Sequence, residues 1–294
     1  MQILVTAAGG KQGKLLIPKL AAAGHIVRAA RLSPGREEEL RQLGASEVVA
    51  GDMGRLDTYL QALQGCDAVY HIGPTGMQDE RASGFVMIEA ARQLGTRHVV
   101  FSSVYHTIID IAQHRYKRDI EEKLFDSGLN CTVLRPCDYM MADYHVGVPA
   151  KIGLLPVLWA MDTGRLQSLI DVEDLTDVAA KVLIEGDKHF FANYELAGPD
   201  KLTVPAMSVI LSRVFGRTIP TQSVTVEEYI GSNPEERELT PDVQHLKEIM
   251  LSISAYYSKH SFIGNPNVLE WLLGRRPTSF EQFVRRELSR LAVP

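Results

Sequence analysis

A chain of 294 residues, 45% hydrophobic and 23% charged, is ordinary for a globular protein and long enough to bury a sizeable core without disulfides or structural metal. The net charge of −5 and the scattered basic residues argue against nucleic acid as a partner. Cys66, Cys131 and Cys137 are too few and too dispersed for a disulfide framework or a zinc site. The apolar run Ile152 to Met161 holds Pro156 and falls well short of the ~18–20 residues of a membrane span. The opening Met1-Gln2-Ile3-Leu4-Val5 starts a strand with no charged leader, so the expectation is a reduced, cytoplasmic protein with no membrane partner. A small-molecule substrate and a monomer or homodimer are expected.

Gln2–Thr6 reads as a strand, followed by a glycine-bearing turn and an amphipathic stretch from Lys11 to Ala23. Strand-like runs follow at His25–Ala30, Glu47–Ala50, Ala68–Ile72, His98–Ser102 and Cys131–Leu134, and helical patterns at Pro34–Leu43, Asp57–Leu63, Asp79–Leu94 and His114–Phe125. The alternation predicts βαβ units with right-handed crossovers, and the continuous apolar strands predict a parallel sheet covered on both faces. The fold class is therefore α/β, a doubly wound parallel sheet with a smaller mixed α/β C-terminal substrate lobe.

After Pro136 the regularity breaks. Residues 138–168 predict loops and short helices, Asp174–Ile184 a helix and Asn193–Ala197 a strand. Val204–Val214 and Val224–Ile230 look helical, as does Val268–Leu291 with an interruption at Gly274–Pro277. Arg275-Arg276 with Arg285-Arg286 reads as a solvated helical face. The division expected is a dinucleotide-binding domain over 1–137, with residues near 169–197 returning to it, and a substrate-binding lobe from 138–168 and 198–294.

The turn Thr6-Ala7-Ala8-Gly9-Gly10-Lys11-Gln12-Gly13 lies between the first strand and first helix. Backbone N–H groups at a helix N-terminus favour an anion, so Ala8, Gly10, Lys11, Gln12 and Gly13 are candidates to cradle a pyrophosphate. Gly10 permits close approach and Gly13 tight packing of helix on sheet. Ala7 stands where a G-x-x-G-x-x-G pattern has its first glycine, and its Cβ is tolerated only if the turn keeps φ negative there. The second strand ends without an acidic residue to take a ribose 2′-hydroxyl. Arg31, with Ser33 and Lys11, suits a 2′-phosphate instead, so NADP(H) is expected in preference to NAD(H).

The glycine turn, Arg28 to Arg31, Gly51-Asp52-Met53, Ala68-Val69-Tyr70-His71-Ile72, Phe101-Ser102-Ser103-Val104-Tyr105-His106, His114-Arg115-Tyr116-Lys117 and Ser127 to Pro136 together resemble the NmrA-like branch of the atypical short-chain dehydrogenases. Ile170 to Asp174 and Tyr194 to Gly198 continue the resemblance into the second half. It implies a Rossmann-type fold, Asp52 and Met53 near an adenine, Gly73 and Pro74 near a ribose, and Lys117 facing the nicotinamide ribose or the substrate. The family includes quinone and aromatic reductases, biosynthetic tailoring enzymes and NADP-binding regulators.

Ordinary short-chain dehydrogenases use a Tyr-x-x-x-Lys pair in which the lysine lowers the tyrosine's pKa. Here Lys117 is in place but Gln113 stands four residues earlier. His114, one helical turn before Lys117, shares its face and titrates near neutrality. Ser103, His106 and Tyr105, at the end of the fifth strand, are further candidates for proton handling. Glu121-Glu122 reads as helix-surface charge. Tyr139, Met140, Tyr144 and Trp159 follow the last regular strand and suit a flat, apolar ligand. Three functions remain open: an NADPH-dependent reductase of an aromatic, quinone or polyketide-like carbonyl or enone, an NADP(H)-sensing regulator without turnover, and a non-redox isomerase, dehydratase or cyclase.

Overall fold

The computed structural model describes residues 1–32, 34–73, 80–158, 164–228 and 243–291. It divides into two compact units, Met1–Pro136 with Leu175–Glu195, and Cys137–Asp174 with Leu196–Pro294. None of the described helices is long and apolar enough to cross a membrane.

The first unit is built on strands β1 (Gln2–Val5), β2 (Ile26–Arg31), β3 (Glu47–Ala50), β4 (Ala68–Ile72), β5 (His98–Ser102) and β6 (Cys131–Pro136). These pair in parallel, and β10 (Ala192–Leu196) completes a seven-stranded sheet of order β10-β6-β5-β4-β1-β2-β3. Ile3, Leu4, Val5, Val69, Val99 and Val133 are fully buried, as expected where helices cover both faces. The order reverses between β2 and β4, on either side of β1. In open sheets of this kind, that reversal leaves a crevice at the strands' carboxyl ends. The helices are α1 (Lys11–Ala22), α2 (Glu37–Gln42), α3 (Leu56–Leu63), α4 (Glu80–Leu94), α5 (Ala112–Asp126) and α7 (Val172–Glu185).

Helix α2 starts later than the pattern from Pro34 suggests. Gly35 and Arg36 both take positive φ, +96° and +63°, which no right-handed helix accommodates, so the helix cannot form before Glu37.

In the second unit β7 (Asp138–Met140) pairs in parallel with β9 (Gln167–Asp171), which pairs antiparallel with β11 (Lys201–Leu202). β8 (Leu155–Leu158) and β12 (Thr221–Val224) form a parallel pair. The expectation of loops and short helices over 138–168 is thus half right. A π-helical turn (Asp143–Gly147) and α6 (Val148–Ile152) occur there, but so do short strands whose proline and brevity hide any period. Val224 ends a strand, its backbone paired with Leu158, and the helix expected from Val224 begins at Val226, with residues 226–228 helical among the described residues. Helices α8 (Val204–Phe215), α9 (Val243–Tyr257), α10 (Asn267–Leu273) and α11 (Phe280–Leu291) complete the unit. Met140, Val146, Leu169, Met207, Leu211, Phe280 and Phe283 form its core.

The arginines near the C-terminus are not a solvated face as a group. Arg286 donates two bonds to buried Asp171, at 2.6 and 3.1 Å, and Arg275 donates to buried Asp174 at 2.7 Å. The correction has a simple cause: a buried carboxylate needs a compensating cation and donors. Asp174 also accepts from the backbone N–H of Thr278 at 2.6 Å and from its hydroxyl at 3.2 Å, fixing the chain that enters α11. Asp174→Ala strands these donors and is expected to lower stability by ~1–3 kcal/mol in urea unfolding.

Candidate active site

Helix α1 begins directly over the end of β1. At Gly13 a Cβ would lie 2.4 Å from the Ala8 carbonyl oxygen, so only glycine lets the helix sit this close. The N-cap is Gly10, whose extended backbone carries no side-chain acceptor, and the first turn holds no acidic residue. The helix's first N–H groups are therefore not capped by a side chain of their own. The Ala8 N–H binds the Ala30 carbonyl at 3.0 Å, which ties the turn to the end of β2 beside Arg31. The Arg31 Nε is buried and has no hydrogen-bond partner among the described residues. This combination fits a phosphorylated nucleotide: a helix terminus without a side-chain cap next to a guanidinium whose Nε lacks a partner among the described residues. Ser33, the other residue expected here, lies outside the described residues.

Ala7 does not keep a negative φ. It sits at +45°, in the left-handed region, because the Gly10 N–H bond to its carbonyl (2.9 Å) and the Ala8 anchor together bend the turn that way. That conformation costs a non-glycine residue about 1–2 kcal/mol.

Gln12 faces inward. Its carboxamide oxygen accepts from the Tyr70 hydroxyl at 2.6 Å and the Ser102 hydroxyl at 3.1 Å, pinning α1 to β4 and β5. The Thr6 hydroxyl exchanges bonds with the backbone of Ile72, at 2.8 and 3.1 Å, and so positions Gly73. Asp52 is exposed and caps the Gly54 N–H at 2.8 Å, while Met53 is buried with its carbonyl bound to Ser83. Pro74 lies outside the described residues.

Lys117 and His114 both lie on the buried face of α5. The Lys117 ammonium donates to Glu80 at 2.5 Å and stands 5.7 Å from the Phe101 ring centre. Glu80 opens α4, where the helix dipole favours a carboxylate. His114 Nδ1 lies 3.0 Å from the His106 carbonyl, which makes Nδ1 the protonated nitrogen and leaves the lone pair on Nε2. Burial holds its pKa below the ordinary value, opposed by that bond. His106 itself is held at φ +52°, with its N–H 3.3 Å from the Glu195 carboxylate. Tyr105 is buried, its ring edge-on to His106.

Ser103 is differently engaged. Its hydroxyl donates to Glu121 at 2.5 Å, and Arg135 grips the same carboxylate with two bonds of 3.0 and 2.6 Å. Glu121 is thus buried and not the surface charge its sequence suggests, since α5 turns it toward β6. Sequence reasoning missed Glu80, Glu121, Arg135 and Glu195. Arg135 carried the one readable signal, a charge within an otherwise apolar strand.

In the second unit Met140 is a core residue and Tyr144 packs against the same core, its hydroxyl bonded to the Pro156 carbonyl. Tyr139 is half-buried, and Trp159 lies outside the described residues.

The NmrA-like family matches residues 1–256. A (4-alkanoyl-5-oxo-2,5-dihydrofuran-3-yl)methyl phosphate reductase of Streptomyces griseus subsp. griseus is 31% identical over 231 residues, 76% of this chain and 78% of its own. The chain belongs to the NmrA-like family. Among solved structures, the NADPH complex of the Escherichia coli NADPH-dependent quinone oxidoreductase has a TM-score of 0.76 at 22% identity, covering 99% of each chain. NmrA, a negative transcriptional regulator, in complex with NADP has a TM-score of 0.77 at 18% identity, covering 99% of this chain and 96% of that one. These two likenesses show that the fold is the family's Rossmann type.

Within this NmrA-like fold, His71 is fully buried between Tyr59 and Phe101, and its Nε2 has no partner among the described residues. Burial, reinforced by the charge of Lys117, holds its pKa down at about 3. The unfolded chain, with an ordinary value near 6.5, takes up the proton first, so stability is intact above about pH 6.5 and falls as pH drops toward 3. His71→Gln is expected to lose about 2 kcal/mol less than wild type between roughly pH 6.5 and pH 5 in denaturant titrations. Ala7→Gly relieves the left-handed turn and is expected to raise thermal stability by about 1 kcal/mol, after the extra freedom of glycine in the unfolded chain is subtracted.

Proposed function

We propose that this chain is an NADPH-dependent reductase of an aromatic, quinone or polyketide-like carbonyl or enone. The observation that carries the cofactor half is the buried Nε of Arg31, without a partner among the described residues, beside the N-terminus of α1. A 2′-phosphate would supply that nitrogen's missing acceptor, whereas a bare 2′-hydroxyl would ask for a carboxylate at this strand end. Glu37 and Glu39 stand within the field of Arg31 on α2 and temper its charge without filling the Nε position. The reductase half is supported by the Streptomyces relative, itself named a reductase.

In this reading Ala8, Gly10, Lys11 and Gly13 hold the pyrophosphate, Arg31 and Ser33 the 2′-phosphate, Asp52 and Met53 the adenine side, and Gly73 and Pro74 the ribose. Gln12 acts by locking α1 onto the sheet. When bound, the cofactor supplies hydride. Lys117, the buried ammonium at the sheet's edge, stabilises the negative charge that grows on the acceptor oxygen and can hand it a proton. His114 is neutral at neutral pH and presents a lone pair, so it serves as a base or a hydrogen-bond acceptor. Ser103 has its proton committed to Glu121 and orients the site instead. Tyr139, Tyr144 and Trp159 are candidates to bind an apolar ligand by their residue types, while Met140 acts through packing.

Gln113 cannot exchange a proton, and this favours a second reading in which NADP(H) is bound and sensed without turnover. One experiment separates the two. The purified protein is titrated with NADPH, NADP+ and NADH, and NADPH absorbance is then followed against a quinone panel. Binding with oxidation is expected; binding without oxidation moves the reading to a sensor or a non-redox enzyme, and absence of binding removes both. Arg31→Ala is expected to weaken NADPH by at least about tenfold while leaving NADH within about threefold. Lys117→Met is expected to lower kcat by about 100-fold or more with little change in the NADPH dissociation constant.

A further inference from the structure

On the β5 and β6 side of the first unit's sheet, Arg135, Arg118 and Lys117 are each engaged by an acceptor. Arg135 is clamped to Glu121. Arg118 donates to the Thr107 carbonyl, and Glu195 lies against His106 with Arg135 4.0 Å away. Lys117 is matched by Glu80, and both side chains are almost wholly buried, at 6% and 2% exposure.

This last pair is built into the fold. Glu80 and Gly84 share one face of α4, and Lys117 and Ile120 share one face of α5. At Gly84 a Cβ would lie 2.6 Å from Ile120 Cδ1, so the glycine allows the two helices to close until Glu80 reaches Lys117. On its other side, Glu80 occupies space that a side chain at Gly73 would need, with a Cβ there only 2.1 Å from Oε1. The carboxylate is wedged between the Gly73 turn and the ammonium.

We propose that Glu80 is a specificity-determining residue. By cancelling the charge of Lys117, it makes the site select uncharged acceptors and reject those with an anionic group beside the ammonium, such as quinone sulfonates. The inference rests on the reductase reading, which places the acceptor beside Lys117. An uncompensated ammonium in a low-dielectric site would draw an anion strongly, whereas a neutral ion pair keeps only a dipole, whose field falls off faster. The ammonium can still donate a hydrogen bond to a carbonyl oxygen, since Glu80 engages one of its three protons. Discrimination by charge is thereby separated from stabilisation of the reacting oxygen.

The test compares menadione, which is neutral, with naphthoquinone sulfonate, which is anionic. Both kcat/KM and calorimetric dissociation constants from the NADP+ complex are measured for wild type and Glu80→Gln. Glu80→Gln, nearly the same shape but uncharged, is expected to shift the menadione-to-sulfonate ratio toward the sulfonate by at least about tenfold in both measurements. An unchanged ratio overturns the proposal even where NADPH is oxidised normally, and leaves the reductase reading intact. Quinone binding that shifts as expected without NADPH oxidation sinks the reductase reading and leaves the role of Glu80 standing. Should Glu80→Gln fail to fold, Glu80→Asp carries the binding test: its shorter side chain draws the carboxylate back from the Lys117 ammonium and is expected to shift the ratio in the same direction. If neither variant moves the ratio, the proposal is wrong.

Discussion

The buried ion pair between Lys117 and Glu80 is the contact on which the packing of α4 against α5 in the first unit depends. Removing two charges from water is costly, and the attraction between them offsets that cost only when the geometry is good. Here it is enforced from three sides: by the close approach of α4 and α5 at Gly84, by the absence of a side chain at Gly73, and by the ring of Phe101 beside the ammonium. His71 stacks on that same ring, where burial first and then the nearby charge of Lys117 keep it neutral.

Around the pair the buried polar groups form linked sets that couple elements distant in sequence. The Gln12 oxygen joins α1 to β4 and β5, and Glu121 joins α5 to the ends of β5 and β6 through Ser103 and Arg135. Polar networks of this kind rigidify a site when their members are satisfied. The Nε of Arg31, like the Nε2 of His71, is a buried polar atom with no hydrogen-bond partner among the described residues.

The second unit solves a different problem. Its strands are short and its sheets small, so backbone pairing alone gives it little rigidity. Aspartates supply the ties: buried Asp171 and Asp174 anchor arginines of the C-terminal segment, and half-buried Asp200 caps the N–H of Phe280 at the start of α11 at 2.7 Å. Asp138 plays a similar part, accepting from the Tyr257 hydroxyl at 2.7 Å, with burial pushing its carboxyl pKa up to about 6.

The order of strands and helices in the first unit was legible because period and turn chemistry are local properties. Short apolar runs and glycine turns need no distant partner to be read, and Ile3-Leu4-Val5 before Gly9-Gly10 already implied a strand feeding a helix N-terminus. Arg31 and Lys117 could be singled out for the same reason, as residue types at known offsets from those elements. Their partners could not. Glu80 lies 37 residues from Lys117 and Arg135 lies 14 from Glu121, and only helix packing decides that they meet. The short strands at 138–140 and 221–224 were hidden likewise, since strands of three or four residues are defined by the neighbours they pair with and not by a period of their own. Ala7 follows this rule in part: its residue type favours negative φ, and a local turn bond from Gly10 together with the tertiary bond from Ala8 to Ala30 overrode the preference. What the sequence determined was the set of elements and the chemical types at their ends; which charges are cancelled, and which are left to meet a ligand, was decided by how those elements pack.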